Sequence, residues 1–396
     1  MADKKKASYL SGRESKRIAR FNRKVMRRLE RGRNEKNADP AGYSAKMRDE
    51  NNVVEIDNVC SYFFTDIGVV RAVDGVSFDI PKQTVVGVVG ESGCGKSVLS
   101  LSMMQLLQRP QGQTVGGEIR LNMGDGKAYD VVRTPTEEMM HIRGNKISMI
   151  FQEPMTSLNP VFRCGMQIDE VIELHGGYES KEDIKKRTVE MLDIVGIANS
   201  EGVYNMYPHE LSGGMRQRVM IAMALACSPE LIIADEPTTA LDVTIQAQIL
   251  DLLTELKDKV NSSIMLITHD LGVIAHMASY VVVMYAGRVV EKGTTHDIFH
   301  SPTHPYTLGL MKSRPTAGNR TEALYNITGS VPNPVNMPDY CYFRDRCEMR
   351  FERCSGEYPP EIRISDTHIV SCWRYYEAGE ALGYPKTVKV EDLANG

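Results

Sequence analysis

The segment Gly90-Glu91-Ser92-Gly93-Cys94-Gly95-Lys96-Ser97 limits the fold more than any other, because it fits G-x-x-x-x-G-K-[ST] in the context that pattern requires. Before it runs Gln83 to Val89, a Val-rich stretch without polar alternation that reads as a strand buried on both faces. After it, residues 96 to 107 read as a helix. Glycines let successive backbone N–H groups converge on phosphate oxygens, and the helix N-terminus adds the positive end of its dipole. Lys96 is placed to reach β and γ oxygens and Ser97 to ligate magnesium, with Val98 next in line along the helix. Cys94 reads as a tolerated small residue of the loop rather than a redox switch. A strand, a phosphate-binding turn and a helix in this order imply an α/β core around a parallel sheet.

Three further strand ends carry chemistry of the same kind. Leu231 to Ala234 deliver Asp235 and Glu236 at the carboxyl end of a second buried strand, where ligands of open α/β sheets collect. Asp235 is expected to hold the magnesium shell, and Glu236, one residue on, to polarise an attacking water as general base. Lys146 to Phe151 is strand-like and ends at Gln152, which opens a polar, proline-broken loop reaching Pro160; by composition alone Gln152 is a loop residue. Ile264 to Thr268 leads to His269, where an imidazole beside a phosphate site can bond the γ-phosphate, although a lone histidine at a strand end is more often structural. In Leu211-Ser212-Gly213-Gly214-Met215-Arg216-Gln217, Ser212 is a good helix N-cap and Gly213 and Gly214 leave the backbone open. A helix running to about Ala226 makes this a second anion site in a chain with one lysine-bearing phosphate loop.

The order and spacing of these segments resemble the ATP-binding cassette of ABC transporters over roughly residues 53 to 315. The resemblance implies a P-loop NTPase (RecA-like) cassette with an antiparallel β subdomain and an inserted helical subdomain at about 153–228. It implies that Gln152 contacts magnesium and water, that the loop after it meets a membrane subunit, and that His269 is the family's switch histidine. Asp242, in Ala240-Leu241-Asp242, is implied to cross the interface of a cassette dimer. Phe63 sits where the family stacks an aromatic on adenine, with Tyr62 a close rival. Two cassettes of the family pair head to tail, which assigns Ser212, Gly213 and Gly214 to the partner's ATP. Met215, the segments Phe151 to Pro160 and Ala234 to Thr244, and His304-Pro305-Tyr306-Thr307 are similar to the ATPase subunits of dipeptide and oligopeptide importers.

That likeness implies a peripheral ATPase at the cytoplasmic face, paired with a homologous cassette under two transmembrane permease subunits. ATP hydrolysis would drive import of peptides delivered by an external substrate-binding protein. Nickel chelates or oligosaccharides are alternative cargo. A soluble cassette ATPase of translation or DNA repair is a different class, but the chain has neither a second phosphate loop nor a long heptad insert. Nothing points to a nucleic-acid partner.

Charge and cysteines divide the rest of the chain. The net charge of −4 conceals 16 Lys+Arg against 7 Asp+Glu in residues 1 to 50, and 31 against 44 in the remainder. Within 14 to 33, Ile18, Phe21, Val25, Met26 and Leu29 recur at helical spacing among arginines and lysines. This basic arm is expected to lie on anionic lipid, to pack on membrane subunits, or to stay a solvated extension, and polar residues 34 to 52 read as a linker. No run approaches eighteen apolar residues and the first thirty are rich in Lys and Arg, so neither a membrane span nor a secretory signal is expected. The expected division is arm and linker at 1–50, nucleotide-binding domain at 53–300 and a C-terminal extension at 301–396.

The extension holds Cys341, Cys347, Cys354 and Cys372 within 32 residues. Four thiolates in a loop-rich segment suit zinc or an iron–sulfur cluster, and the spacing dictates neither. The family resemblance favours a four-iron four-sulfur cluster acting as a structural staple, with zinc and free thiols as alternatives. His296, His300 and His304 recur every four residues, but Ser301-Pro302 interrupts any helix that would align all three for zinc.

Overall fold

The computed structural model describes residues 11–36, 38–152, 157–178, 180–239, 241–313, 325–335 and 337–394. The elements are α1 (Gly12–Arg33), β1 (Ser44–Ala45), β2 (Asn52–Thr65), β3 (Gly68–Pro81), β4 (Val85–Val89), α2 (Lys96–Met103), β5 (Gly112–Gly124), β6 (Lys127–Asp130), α3 (Thr136–Ile142) and β7 (Ile147–Ile150). Then come α4 (Cys164–His175), α5 (Lys181–Ile194), α6 (Ser200–Asn205), α7 (Gly213–Leu225), β8 (Leu231–Asp235), α8 (Val243–Val260) and β9 (Ser263–Ile267). The chain continues through α9 (Leu271–Met277), β10 (Tyr280–Tyr285), β11 (Arg288–Thr294), α10 (Thr295–His300) and α11 (Pro305–Lys312), and closes with β12 (Glu361–Arg363), β13 (Ile369–Val370) and β14 (Glu380–Gly383).

The core is the parallel run β10-β4-β9-β8-β7, with every residue of β4, β8 and β9 buried. Successive side chains of a strand point to opposite faces, and the apolar residues divide accordingly. Val86, Val88, Ile233, Met265 and Ile267 pack with Leu99 and Met103 of α2 and with the antiparallel sheet β1-β6-β5-β2-β3. Val85, Val89, Ala234, Ile264 and Leu266 pack instead with Val219, Met220, Leu253, Leu256 and Ile274 of the helices on the other face. The α/β class and the two subdomains expected from the sequence are both present. Because β4, β7, β8 and β9 run parallel, the residues after them emerge at one edge of the sheet.

Among the described residues the helical insert has four helices, α4 to α7. The shortest, α6, has six residues, too few to display a repeat. In α5 the buried Ile184, Thr188, Met191 and Leu192 form one stripe, and Ser180 accepts the amide of Asp183 as its N-cap.

The basic arm is not a free extension. A capping box of Ser11 and Glu14 starts α1. Its apolar stripe, Phe21, Val25, Met26 and Leu29, packs on Tyr62, Phe64, Val69 and Val115 of the antiparallel sheet and on Val388, Val390 and Leu393 near the other end of the chain. Full burial of a side chain such as Val25 contributes about 1.5–3 kcal/mol. Asn22 Nδ2 donates to the Thr65 carbonyl at 2.9 Å and Arg33 to that of Thr114 at 3.3 Å. With its apolar side covered, α1 turns only its charged face outward. Residues 34–52 do not behave as a linker either, since β1 pairs with β6 and the amides of Arg48 and Asp49 donate to the buried Glu55 carboxylate at 2.9 and 2.8 Å.

The C-terminal residues extend the main sheet, which continues past β10 as β11, β13, β12 and β14, all antiparallel. A buried ion pair ties three regions together: Arg288 of β11 forks onto Asp74 of β3 at 2.8 and 3.1 Å, and Asp74 also accepts the hydroxyls of Tyr62 at 2.6 Å and Tyr342 at 3.0 Å. His304 is a buried N-cap, its Nδ1 accepting the amide of Tyr306 at 3.0 Å, and burial draws its pKa down to about 4. His296 and His300 belong to α10, a separate helix. Among the described residues no helix is long and apolar enough to cross a membrane.

Candidate functional site

A cleft of about 550 Å³ opens at the sheet edge where β4, β7, β8 and β9 end. One wall is the phosphate loop, through Ser92, Gly93, Gly95, Lys96, Ser97 and Val98; the other is Gln152, Glu236 and His269, with Ala72 at the margin. A groove of similar size, about 600 Å³, runs between α1 and Pro110 beneath Arg23, Arg27 and Arg31, but no group from the four strand ends enters it.

The loop leaves the end of β4 through Gly90 and enters α2 at Gly95, whose φ of 102° is left-handed and where a Cβ would collide with the carbonyl of Ala72. Lys96 is buried and its ammonium donates to the carbonyls of Gly90 at 2.7 Å and Glu91 at 3.2 Å. Cys94 is also buried, its sulfur 3.8 Å from the Lys96 ammonium, and burial raises its thiol pKa. A protonated, enclosed thiol is a packing group, not an exposed nucleophile.

At the end of β8 the two acids part. Asp235 stays in the strand and accepts the hydroxyls of Ser97 at 3.2 Å and Ser100 at 3.4 Å. Burial raises its pKa, the Ser97 hydrogen bond opposes that, and the Glu236 charge adds to it. A carboxylate with raised proton affinity is correspondingly receptive to a cation. Adjacent oxygen ligands of an octahedral magnesium ion lie about 3 Å apart, so Ser97 Oγ and Asp235 Oδ1 suit that ion.

Glu236 adopts a φ of 46°, a left-handed conformation that costs a non-glycine residue about 1–3 kcal/mol. The turn is secured by its amide, which donates to the carbonyl of Ile267 at 2.8 Å. It aims the Glu236 carboxylate into the cleft, away from Asp235. There Gln152 Nε2 donates to Oε2 at 3.1 Å, Thr239 Oγ1 donates to the same oxygen at 3.0 Å, and His269 Nδ1 lies 3.3 Å from Oε1. Three residues that the sequence singles out, Gln152, Glu236 and His269, thus meet around one carboxylate. Sequence reasoning misses Thr239 and Ser100. Ser100 carries a signal, since i and i+3 share a helix face and place it beside Ser97; Thr239 comes after Glu236 through a loop with no periodicity.

Other candidates stand apart from the cleft. Ser212 caps α7 by accepting the amide of Met215 at 3.3 Å, and Asp242 caps α8 by accepting that of Ile245 at 3.0 Å. Ser212, Gly213 and Asp242 are exposed. A Cβ built on Gly213 meets nothing nearer than Leu241 at 3.9 Å, and one on Gly214 comes within 3.1 Å of Ile245, so these two helix starts are neighbours on one surface. Phe63 is half-buried on β2 beside Gly112 and does not line the cleft. Tyr62 is fully buried and its hydroxyl is taken by Asp74 and, at 3.1 Å, by the Val388 carbonyl, which removes it as a rival to Phe63. Ala240 and residues Glu153, Pro154, Met155 and Thr156 lie outside the described residues. Around Gln152 in the sequence, Phe151, Val161, Phe162 and Met166 are 40%, 70%, 49% and 50% exposed, large apolar side chains of the kind found at interaction surfaces.

The four clustered cysteines are free thiols that act on one another electrostatically. Burial pushes Cys341 and Cys372 up to about 12 and raises Cys347 as well. Among the described residues no three His, Cys, Asp or Glu side chains stand close enough together to hold a single metal ion.

Residues 73–239 match the family model described as ABC transporter, and residues 290–354 match that of the oligopeptide/dipeptide transporter C-terminal region. The oligopeptide transport ATP-binding protein AppD of Bacillus subtilis is 48% identical over 327 residues, covering 83% of this chain and 98% of that protein. OppD of the same organism is 47% identical over 87% of this chain and 95% of its own length, and OppD of Haemophilus influenzae 46% over 82% and 97%. Among solved structures, the ATP-binding cassette MJ0796, described as a dimer in a post-hydrolysis state bound to ADP and Pi, aligns with a TM-score of 0.53 at 28% identity over 61% of this chain and 98% of that one. The cbiO1 protein of Clostridium perfringens, part of the ABC transporter complex cbiONQ, aligns with a TM-score of 0.53 at 25% identity over 63% and 92%.

Proposed function

The chain belongs to the oligopeptide-transport ATP-binding proteins of the ABC transporter family, and from that membership we propose how its residues divide the work of hydrolysing ATP to power peptide import. The observation that carries the assignment is the meeting of Gln152, Thr239 and His269 on Glu236, across the cleft from Lys96. Lys96 and the loop amides bind the β and γ phosphates. Ser97, Asp235 and Gln152 would hold magnesium, which would supply positive charge against the β and γ oxygens. Glu236 takes a proton from the attacking water as general base, Gln152 and Thr239 fix its carboxylate, and His269 reaches the γ-phosphate. Phe63 stacks on adenine from the antiparallel sheet.

Residues 53–300 form the nucleotide-binding unit in this reading, 301–396 the extension, and 1–50 the N-terminal arm, whose helix α1 docks on the antiparallel sheet. A homologous cassette pairs head to tail, so that Ser212, Gly213 and Gly214 close over its ATP while Asp242 crosses the interface. The apolar set from Phe151 to Met166 receives a membrane subunit, which brings the chain to the cytoplasmic face of the membrane as a peripheral component below two permease subunits and an external binding protein. Reconstituted with them, the complex is expected to raise its ATPase rate when the binding protein carries a di- or oligopeptide. A response to an oligosaccharide or a nickel chelate with none to peptide would remove the peptide assignment.

Cys341, Cys347, Cys354 and Cys372 are the ligands of a four-iron four-sulfur cluster in this reading, the choice over zinc resting on the family resemblance. Its role is to order a short-stranded segment with little apolar core of its own. Protein purified without oxygen is expected to be brown and to bleach with dithionite. A colourless product carrying one zinc per chain would reverse the choice.

A further inference from the structure

We propose that Arg346, carried by the C-terminal extension, is a positioning residue for ATP binding: it neutralises Glu91 of the phosphate loop and holds the loop in its binding conformation. The inference rests on the assignment of Gly90 to Ser97 as the ATP site. Arg346 forks onto the Glu91 carboxylate at 2.7 and 3.1 Å, with 7% and 27% of the two side chains exposed. The guanidinium is itself fixed from three directions. It donates to the carbonyls of Ile327 and Thr328, both at 3.1 Å, and to the hydroxyl of Tyr285 at 3.4 Å. All of its N–H-bearing nitrogens are therefore engaged, a geometry that only a planar fork satisfies.

A second contact holds the same loop residue by its backbone. The amide of Glu91 donates to the Tyr306 hydroxyl at 2.8 Å, and Tyr306, fully buried, packs its ring 4.7 Å from that of Tyr285 and 5.5 Å from that of Phe343. The carbonyl of Glu91 in turn accepts from the Lys96 ammonium. Side chain, amide and carbonyl of one loop residue are thus held by Arg346, Tyr306 and the phosphate-binding lysine.

The electrostatic consequence is specific. A carboxylate within a loop built to receive a triphosphate opposes its ligand unless the charge is cancelled. Arg346 cancels it from behind, out of the cleft. Replacing Arg346 by Met leaves the Glu91 carboxylate unpaired in the loop that receives the phosphates, and at an effective dielectric of about 20 such like-charge repulsion weakens binding roughly tenfold.

The test is the dissociation constant of a fluorescent ATP analogue on the full-length chain, beside thermal melts without nucleotide. Arg346→Met is expected to raise the constant roughly tenfold. Arg346→Lys, which keeps the charge and loses the fork, should fall between. Glu91→Gln combined with Arg346→Met should recover most of the lost affinity, because the opposing charge is gone. Tyr306→Phe, lacking only the acceptor oxygen, should weaken binding with its fold intact. In the assembled transporter the Arg346→Met defect should appear mainly in KM for ATP and little in kcat. Unchanged affinity in Arg346→Met would overturn the proposal, as would a double variant with a native melt that binds as weakly as the single one. Failure of the unaltered chain to bind ATP would instead remove the underlying nucleotide assignment.

Discussion

Glu236→Gln is expected to retain ATP affinity close to that of the parent while hydrolysing it about 10²- to 10⁴-fold more slowly, the usual cost of removing a general base. The substitution keeps the volume of the side chain, and the left-handed turn that aims it depends on backbone bonds that are untouched. What changes is proton affinity and one side of the hydrogen-bond pattern. The Oε2 position accepts from both Gln152 and Thr239, and an amide can present its oxygen there and its NH₂ to His269. The cleft therefore keeps its shape and loses its base. Single-turnover hydrolysis with a parallel binding titration separates the two effects. Hydrolysis within a few fold of the parent would mean that the water is activated elsewhere, and His269 would be the next group to replace.

Glu236 and His269 are legible from sequence because each follows a short apolar strand, whereas Gln152 is a loop residue by composition that only the family resemblance singles out, and Thr239 gives no signal at all. Val85 to Val89, Leu231 to Ala234 and Ile264 to Ile267 read as interior strands of a parallel sheet, and parallel strands deliver their next residues to one edge. That logic needs no knowledge of distant contacts. It stops where position depends on them. The stripe Phe21, Val25, Met26 and Leu29 announces an amphipathic helix, but not that its cover comes from β2 and from Val388 to Leu393 at the opposite end of the chain. Residues 34 to 52 look like a linker because nothing local shows that their amides answer the buried carboxylate of Glu55. The strands β12, β13 and β14 are two to four residues long, too short for any period. Arg346 lies 255 positions from Glu91, and an arginine among many in a polar tail gives no hint of where its fork lands.

Gly213→Asp is expected to leave the isolated chain folded and its ATP affinity unchanged, while turnover of the partner's nucleotide in the assembled pair falls by about 10²-fold or more. Gly213 occupies the first position of α7, is exposed, and has room for a Cβ. An acidic residue in a first helical turn is favoured by the dipole by about 0.3–1 kcal/mol, so instability does not account for a loss of activity. Nor does the cleft change, since none of Ser212 to Gly214 lines it. The effect arises only if this surface closes on a phosphate group supplied by another cassette, where the new carboxylate replaces an open helix start with a like charge. Lys96→Ala provides the contrast, failing already at ATP binding in the isolated chain. If the partner cassette is a different chain, Glu236→Gln and Gly213→Asp strike different ATP molecules, and combining them in one polypeptide removes the turnover that each alone leaves. If the partner is a second copy, either substitution alone disables both sites and their combination adds little. Full turnover in the assembled Gly213→Asp variant, or lost ATP binding by a normally folded isolated chain, would show that α7 does not act across the pair.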